Sequence, residues 1–459
     1  MTSTVLWLRR DLRLHDHPAL LAAAEDAGGS GVVPLFVLDP ALLDPAGPTR
    51  TAWLFRSLRA WSDSTGGALV VRTGRPEDVV RQVAQEVGAE RVHVTADSGP
   101  YGRGRDERVE AALAGDDVAL VRTGTPYAVG PGTVVKQDGT PFQVFTPFSR
   151  AWTAHGHPAP AQTPPTDLRW VRRLDSEDVP HDPDLGDLHL PEVGEQAALA
   201  RWEEFQDRLD GYDSDRERPD RDGTSQLSAH LKYGEVHPRT LLADLAAGPH
   251  GGTRGGQTFR TELIWREFYA DVLWHRPESA REYYRPQLAG MRYESPTRGE
   301  GKAHLEAWQE GRTGFPFVDA GMRQLRAEGW IHNRVRMVVS SFLVKDLHLE
   351  WQLGARHFMR WLRDGDLASN NHGWQWVAGS GTDAAPFFRV FNPVTQGEKF
   401  DPDGAYVRKY VPELRHVQGK KAHSPWDVAD GYEQGYPERI VDHKEEREEA
   451  LARYSEVRS

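Results

Sequence analysis

Short apolar runs alternate with helical-length stretches along the first third of the chain. The runs cover residues 5–8, 32–37, 69–71, 91–94 and 119–121, and the stretches include 18–27, 51–64 and 76–88. This alternation of strand and helix predicts an α/β domain over residues 1–130, a doubly wound parallel sheet of five strands. A dinucleotide-binding sheet carries G-x-G-x-x-G directly after its first strand. Here that position reads Arg9-Arg10-Asp11-Leu12-Arg13, so no NAD site is expected.

Periodicity then fades. Residues 151–193 are rich in Pro, Ala, Asp and His, as in AHGHPAPAQTPPTD, and residues 131–194 are assigned to an interdomain linker. From Glu195 onward helical signals dominate. In Phe315-Pro316-Phe317-Val318-Asp319 a proline near a helix start precedes apolar Val318, Met322 and Leu325, and Gly329 follows as a stop. Residues 195–459 are therefore expected to form a large all-α domain that holds the chemistry. No internal repeat is visible.

Composition narrows the class. A chain of 459 residues, 38% hydrophobic and 27% charged, suits an ordinary soluble protein of two or three domains. The absence of cysteine removes disulfides, thiol catalysis and iron–sulfur ligation together. The N-terminus, MTSTVLWLRRDLRLHD, places arginine and aspartate too early for a secretory signal. No run reaches the roughly 18 apolar residues of a membrane span, so a cytoplasmic location is expected. Histidine pairs occur at His15/His17 and His155/His157, but no HExxH or comparable ligand set accompanies them, and no metal is expected.

With 68 acidic and 56 basic residues the net charge is −12, which argues against a protein that coats DNA generally. Acids dominate residues 175–187 and 445–449, whereas arginine recurs at positions 254, 260, 266, 276, 281, 285, 292 and 298. A local basic surface on an acidic molecule and a set of scattered, solvated arginines both fit that spacing.

Residues 364–400, DGDLASNNHGWQWVAGSGTDAAPFFRVFNPVTQGEKF, crowd acids, amides and indoles without matching a hydrolase or metal motif. Asp364, Asp366, Asn370, Asn371, Trp374 and Trp376 could surround a flat, hydrogen-bonding, redox-active ligand, or form an aromatic core helix with a polar loop. On a helix, residues two apart point roughly 200° apart, so Trp374 and Trp376 serve different surfaces.

This stretch resembles the flavin-binding core of the photolyase/cryptochrome family. Four further segments carry the same resemblance: WLRRDLRLHDHPAL at 7–20, Asp222-Gly223-Thr224-Ser225-Gln226-Leu227-Ser228, Glu262-Leu263-Ile264-Trp265-Arg266-Glu267-Phe268-Tyr269, and Ile331-His332-Asn333-Arg334-Val335-Arg336-Met337. Any one alone is a weak match; five in order, over nearly the whole chain, are specific. Lack of cysteine disfavours the family's iron–sulfur branch.

The resemblance implies FAD, with Tyr212, Thr224, Ser225 and Ser228 at its pyrophosphate, although DGTSxLS alone also reads as a capping turn. It adds Arg266 to the cofactor-binding set, makes Arg336 and Asp364 an ion pair beside the isoalloxazine, and has Asp366 accept from the ring edge. Asn370 matches the residue facing flavin N5, where an amide favours a long-lived, reduced anionic flavin. His372 departs from the pattern, which usually has glycine there, and is read as pointing outward.

For a substrate, Glu262, Trp265 and Arg266 share a helix face at i, i+3 and i+4, as do Asn333, Arg336 and Met337 on the next such helix. The resemblance makes Trp265 and Trp376 aromatic walls for a flipped-out pyrimidine dimer in UV-damaged DNA, with Glu262 and Asn333 on base edges, Met337 beneath and Arg334 on the backbone. HNRVRM points to the class I cyclobutane-dimer branch, because (6-4) enzymes place a catalytic histidine where Asn333 stands. His332 leaves the helix about 100° away from it. The implied activity is light-driven repair by electron transfer from excited, reduced FAD, with no nucleophile or general base. A (6-4) enzyme and a cryptochrome-type blue-light receptor remain alternatives. Receptors usually extend well beyond the core, and only the charged residues 440–459 follow here, which favours repair.

Flavin reduction in this family runs through three tryptophans. Trp374 and Trp351 match the first two, and Tyr293 falls at the third. Residues 97–106, DSGPYGRGRD, resemble the subgroup with an 8-hydroxy-5-deazaflavin antenna, and Arg50, Asp97, Gly102 and Lys232 are the candidate contacts. Folate-binding members carry an acid where Gly102 stands, so 5,10-methenyltetrahydrofolate ranks second, with a flavin-filled or empty site also open. A monomer is expected.

Overall fold

A computed structural model describes residues 3–164, 168–172, 174–383 and 388–457. Its five strands are β1 (Thr4–Leu8), β2 (Val32–Leu38), β3 (Val70–Thr73), β4 (Arg91–Val94) and β5 (Ala119–Arg122). They pair in parallel in the order β3-β2-β1-β4-β5, the doubly wound arrangement expected, with Val5 opposite Val33 on one side and Val92 on the other. Every residue of β1 and β2 is buried, because helices cover both sheet faces. The helix Pro76–Val87 shows how: Val79, Val80 and Val83 form one apolar stripe, and the helix packs on β1 and β2. The expected helix over 51–64 starts earlier, at Pro48, since proline's missing N–H costs nothing in a first helical turn.

The chain divides into two compact units that do not follow chain order. One comprises residues 1–185, 191–210 and 225–277; the other comprises 186–190, 211–224 and 278–459. The stretch assigned to a linker, 131–194, contains the helix Phe145–His155, while its residues 165–167 and 173 lie outside the described set.

Within the first unit the 22-residue helix Arg254–His275 is held by a buried carboxylate. Glu267 accepts from Ala128 N at 2.7 Å, Val129 N at 3.0 Å and Trp152 Nε1 at 3.3 Å. Burial pushes its pKa up to about 7 in spite of these donors.

The second unit's elements are all helices among its described residues, around a core that includes Phe317, Met322, Val339, Phe342, Trp351 and Trp374. Its helix Pro316–Glu328 begins on the proline and ends at Gly329, whose φ of 60° lies in the left-handed region that glycine enters without strain, as the sequence predicts. The helix Asn333–Ser341 runs into a π-helical turn, Phe342–Asp346, buried at every position. Among the described residues no helix is long and apolar enough to cross a membrane.

Candidate flavin and DNA site

Charge comes first. Arg336, on the helix Asn333–Ser341, meets Asp364 with Nη2 2.8 Å from Oδ2, and its Nε donates to Ile331 O at 2.7 Å. The Asp364 side chain is 4% exposed and the Arg336 side chain 25%, so the expected ion pair exists and is largely withdrawn from water. Two residues on, Asp366 caps the helix Leu367–Ala378 by accepting from Ser369 N at 3.0 Å.

One turn into that helix the amides are oriented. Asn371 donates through Nδ2 to Ala280 O, an atom that can only accept, which makes Asn371 Oδ1 an acceptor in turn. Asn370 donates through Nδ2 to that oxygen at 2.8 Å and to Ala355 O at 3.2 Å. Its own Oδ1 is thereby the accepting end of a buried amide. A ring edge with an N–H to place fits such an oxygen, and the Arg336–Asp364 pair supplies charge from the segment that leads into the same helix, so the residues present suit FAD.

His372 corrects an expectation. Its ring does not point outward; it is 1% exposed, with Nε2 2.8 Å from Ser279 Oγ and Nδ1 2.8 Å from Ala368 O. Burial lowers its pKa to about 4, leaving a neutral ring. Gln375 continues the pattern: Nε2 donates to Ser279 O at 2.8 Å and Glu282 O at 3.0 Å, while Oε1 accepts from Tyr284 N at 2.7 Å. Asn371, His372 and Gln375 thus form a polar ladder along residues 279–284. Sequence reasoning missed this ladder, although 371, 372 and 375 fall at i, i+1 and i+4, a helical stripe.

Aromatic packing follows on the same helix. Trp374 is 2% exposed, with Phe358 at 5.0 Å and Trp308 at 6.0 Å, both edge-on. It lies against the backbone of the helix Trp351–Trp361, where a Cβ on Gly354 would stand 2.1 Å from Trp374 Cη2. Trp351 is 1% exposed, and Nε1 of both indoles is buried without a hydrogen-bond partner among the described residues. Tyr283, absent from the sequence-derived candidates, lies edge-on to Trp351 at 6.1 Å and 6.3 Å from Tyr293. Trp376 instead turns to a half-buried surface, donating Nε1 to Asp383 O at 3.1 Å, as spacing predicts.

On the same unit Asn333 is exposed and Arg334 pairs with Glu217, its guanidinium 4.5 Å over Phe400 and Nη1 3.4 Å from Met337 Sδ. His332 is buried and caps the helix, accepting from Arg334 N at 3.2 Å, so it does not share the place of Asn333. Tyr212 is buried and Thr224 half-buried. In the first unit, Trp265 stacks on Phe145 at 3.6 Å and 4°, which fixes its ring plane and occupies one face. Glu262 lies one turn earlier, half-buried. Arg266 donates to Pro126 O at 3.0 Å and Leu231 O at 3.2 Å. Ser225 Oγ accepts from Leu227 N at 3.4 Å, and Ser228 opens the helix Ser228–Tyr233.

Residues 259–456 match the model for the FAD binding domain of DNA photolyase, and residues 4–166 match that for DNA photolyase. A deoxyribodipyrimidine photo-lyase of Agrobacterium fabrum is 38% identical over 478 residues, covering 99% of this chain and 98% of the relative. The chain belongs to the DNA photolyase family. Among solved structures, a bacterial class III photolyase from Agrobacterium tumefaciens superposes with a TM-score of 0.91 at 36% identity, covering 100% of this chain and 98% of that one. An archaeal photolyase from Sulfolobus tokodaii, described with two FAD molecules and a novel light-harvesting cofactor, gives 0.83 at 28% identity over 99% of both chains.

The antenna candidates of this photolyase-family chain all lie in its first unit. The Asp97 carboxylate accepts from Gly99 N at 3.1 Å and Arg105 Nη2 at 3.2 Å. It also fills the space over Gly102, where a Cβ would sit 2.2 Å from Asp97 Oδ2. Arg50 and Lys232 converge on Tyr233: Arg50 O accepts from its hydroxyl at 3.0 Å, and Lys232 Nζ lies 4.6 Å from its ring centre.

Proposed function

We propose that this protein splits cyclobutane pyrimidine dimers in UV-damaged DNA under blue light, acting as a cytoplasmic monomer. FAD, when bound, supplies the light-driven electron donor, and the chain supplies geometry, charge and exclusion of water. The observation that carries this reading is the oriented, buried amide of Asn370, on the helix that follows the Arg336–Asp364 pair in the chain. Arg336 and Asp364 hold the ring's electrostatic setting, Asp366 accepts from its edge, and Asn370 accepts at N5 without offering a proton. Tyr212, Thr224, Ser225, Ser228 and Arg266 hold the rest of the cofactor.

Trp265 and Trp376 are assigned to stack on the extruded dimer, Glu262 and Asn333 to bond its bases, Met337 to pack against it, and Arg334 to exchange Glu217 for DNA phosphate. Base–aromatic stacking contributes about 1–3 kcal/mol per base, comparable with the few kcal/mol of extrusion, which is smallest for a damaged pair. Trp374, Trp351 and Tyr293 deliver the electron that restores the reduced cofactor.

The finer assignment is to the class I branch with an 8-hydroxy-5-deazaflavin antenna held by Arg50, Asp97, Gly102 and Lys232. It is supported by Gly102, whose contact with Asp97 has no room for the acid of folate-binding members. Extraction of chromophore from protein made in its native host tests it, and a folate spectrum overturns it.

The decisive experiment mixes photoreduced protein with UV-irradiated oligothymidylate and follows thymine absorbance under blue light and in darkness. Light-dependent recovery is expected. No recovery with reduced FAD bound, followed by repair of a (6-4) substrate or of nothing, would replace this reading with a (6-4) enzyme or a light receptor.

A further inference from the structure

The two buried indoles and the tyrosine beyond them are built differently. Trp374 Nε1 and Trp351 Nε1 have no acceptor among the described residues, so an indole that loses an electron there keeps its proton and its positive charge. Tyr283 has an acceptor: its hydroxyl lies 3.5 Å from Glu350 Oε1, and its ring stands 6.1 Å from Trp351. Glu350 directly precedes the helix Trp351–Trp361 and is exposed, its side chain making no capping bond. Exposure rises outward, from 1% at Trp351 to 8% at Tyr283 and half-burial at Tyr293. The Tyr293 ring lies 6.3 Å from that of Tyr283, and its hydroxyl donates to Leu288 O at 3.3 Å. Burial raises the pKa of Tyr293 to about 12 and that of Tyr283 further, so both start protonated and neither loses an electron without a base.

We infer that Tyr283, with Glu350 as its proton acceptor, is where an oxidising hole leaves the tryptophans, becomes a neutral radical and passes to Tyr293. The inference rests on the reading that photo-excited oxidised FAD draws an electron through Trp374 and Trp351. Tyr283 gives one electron to the Trp351 radical cation while its O–H bond breaks and the proton moves to the Glu350 carboxylate. Neutral Trp351, a neutral Tyr283 radical and protonated Glu350 result, with charge conserved. The Tyr293 hydroxyl, which donates to Leu288 O at rest, then turns to the Tyr283 oxygen and gives it a hydrogen atom, leaving the radical on the more exposed ring.

The test is flash photolysis of the protein loaded with oxidised FAD, read by transient absorption and electron paramagnetic resonance in H2O and D2O. A tyrosyl radical with a solvent isotope effect on its formation is expected. Tyr283→Phe should remove it and prolong the tryptophan radical by about tenfold or more, a barrier change of about 1.4 kcal/mol. Glu350→Gln should slow its formation about tenfold, with Glu350→Asp partly restoring it. If Tyr283→Phe fails to fold, the Glu350 pair still decides. An unchanged tyrosyl yield in Tyr283→Phe, or an unchanged rate in Glu350→Gln, overturns the relay while leaving flavin reduction by tryptophan intact. If wild type forms no tryptophan radical at all, that underlying reading falls with it.

Discussion

The helix Leu367–Ala378 has two contrasting neighbourhoods. Around Asp366, Asn370, Asn371, His372 and Gln375, polar atoms are matched to partners, and the Arg336–Asp364 pair stands beside them. Trp374 and Trp351, by contrast, are buried with indole N–H groups that have no acceptor among the described residues. Matched polar groups fix position, because any displacement strands a buried donor or charge. Unmatched indoles in an apolar setting have no such anchor; packing alone holds them, and a hole crossing them meets no base. Under the function proposed above, binding and electron supply separate by residue, and substitutions should separate them in experiment.

The largest effect is expected on the polar side. Asp364→Ala strands the Arg336 guanidinium and should cost about 3–5 kcal/mol, seen as loss of FAD on gel filtration and a lower Tm. Retention of FAD at wild-type affinity would break the contrast. Next is pH. His372 titrates near 6.5 when unfolded and about 4 when folded, so between these values the unfolded chain holds the extra proton. Stability should therefore fall as pH drops from 6.5 toward 4, and His372→Gln should remove up to about 1.4 kcal/mol per pH unit of that slope. Denaturant midpoints at several pH values measure it.

On the aromatic side, Gly354→Ala forces Trp374 to move and should cost about 1–3 kcal/mol by overpacking. It should slow flavin photoreduction more than it weakens FAD binding, and equal losses in both would erase the distinction. Smallest is Phe145→Leu, which removes the ring stacked on Trp265; about 0.5–1.5 kcal/mol of stability should go, with weaker retention of damaged DNA in a filter-binding titration.

The strands were legible because each is a short apolar run, and Pro316 and Gly329 mark their helix ends by backbone chemistry that acts locally. The Arg336–Asp364 pair was legible only through motif resemblance, since its members are 28 positions apart. His372 was misread because its orientation is set by Ser279, 93 positions away, which no local pattern announces. Tyr283 was invisible for the same reason: one of two adjacent tyrosines gains meaning only from the Trp351 and Glu350 packed against it.

The ladder from Asn371 through His372 to Gln375 consists of amides, a neutral ring, a hydroxyl and backbone carbonyls. None carries formal charge near neutrality, so counterions have nothing in it to screen. DNA association, by contrast, draws on phosphate contacts that release counterions and weaken steeply as salt rises. A salt titration should therefore detach the nucleic acid long before it alters photoreduction, because the same uncharged rungs fix both the Asn370 amide and the segment that carries Tyr283.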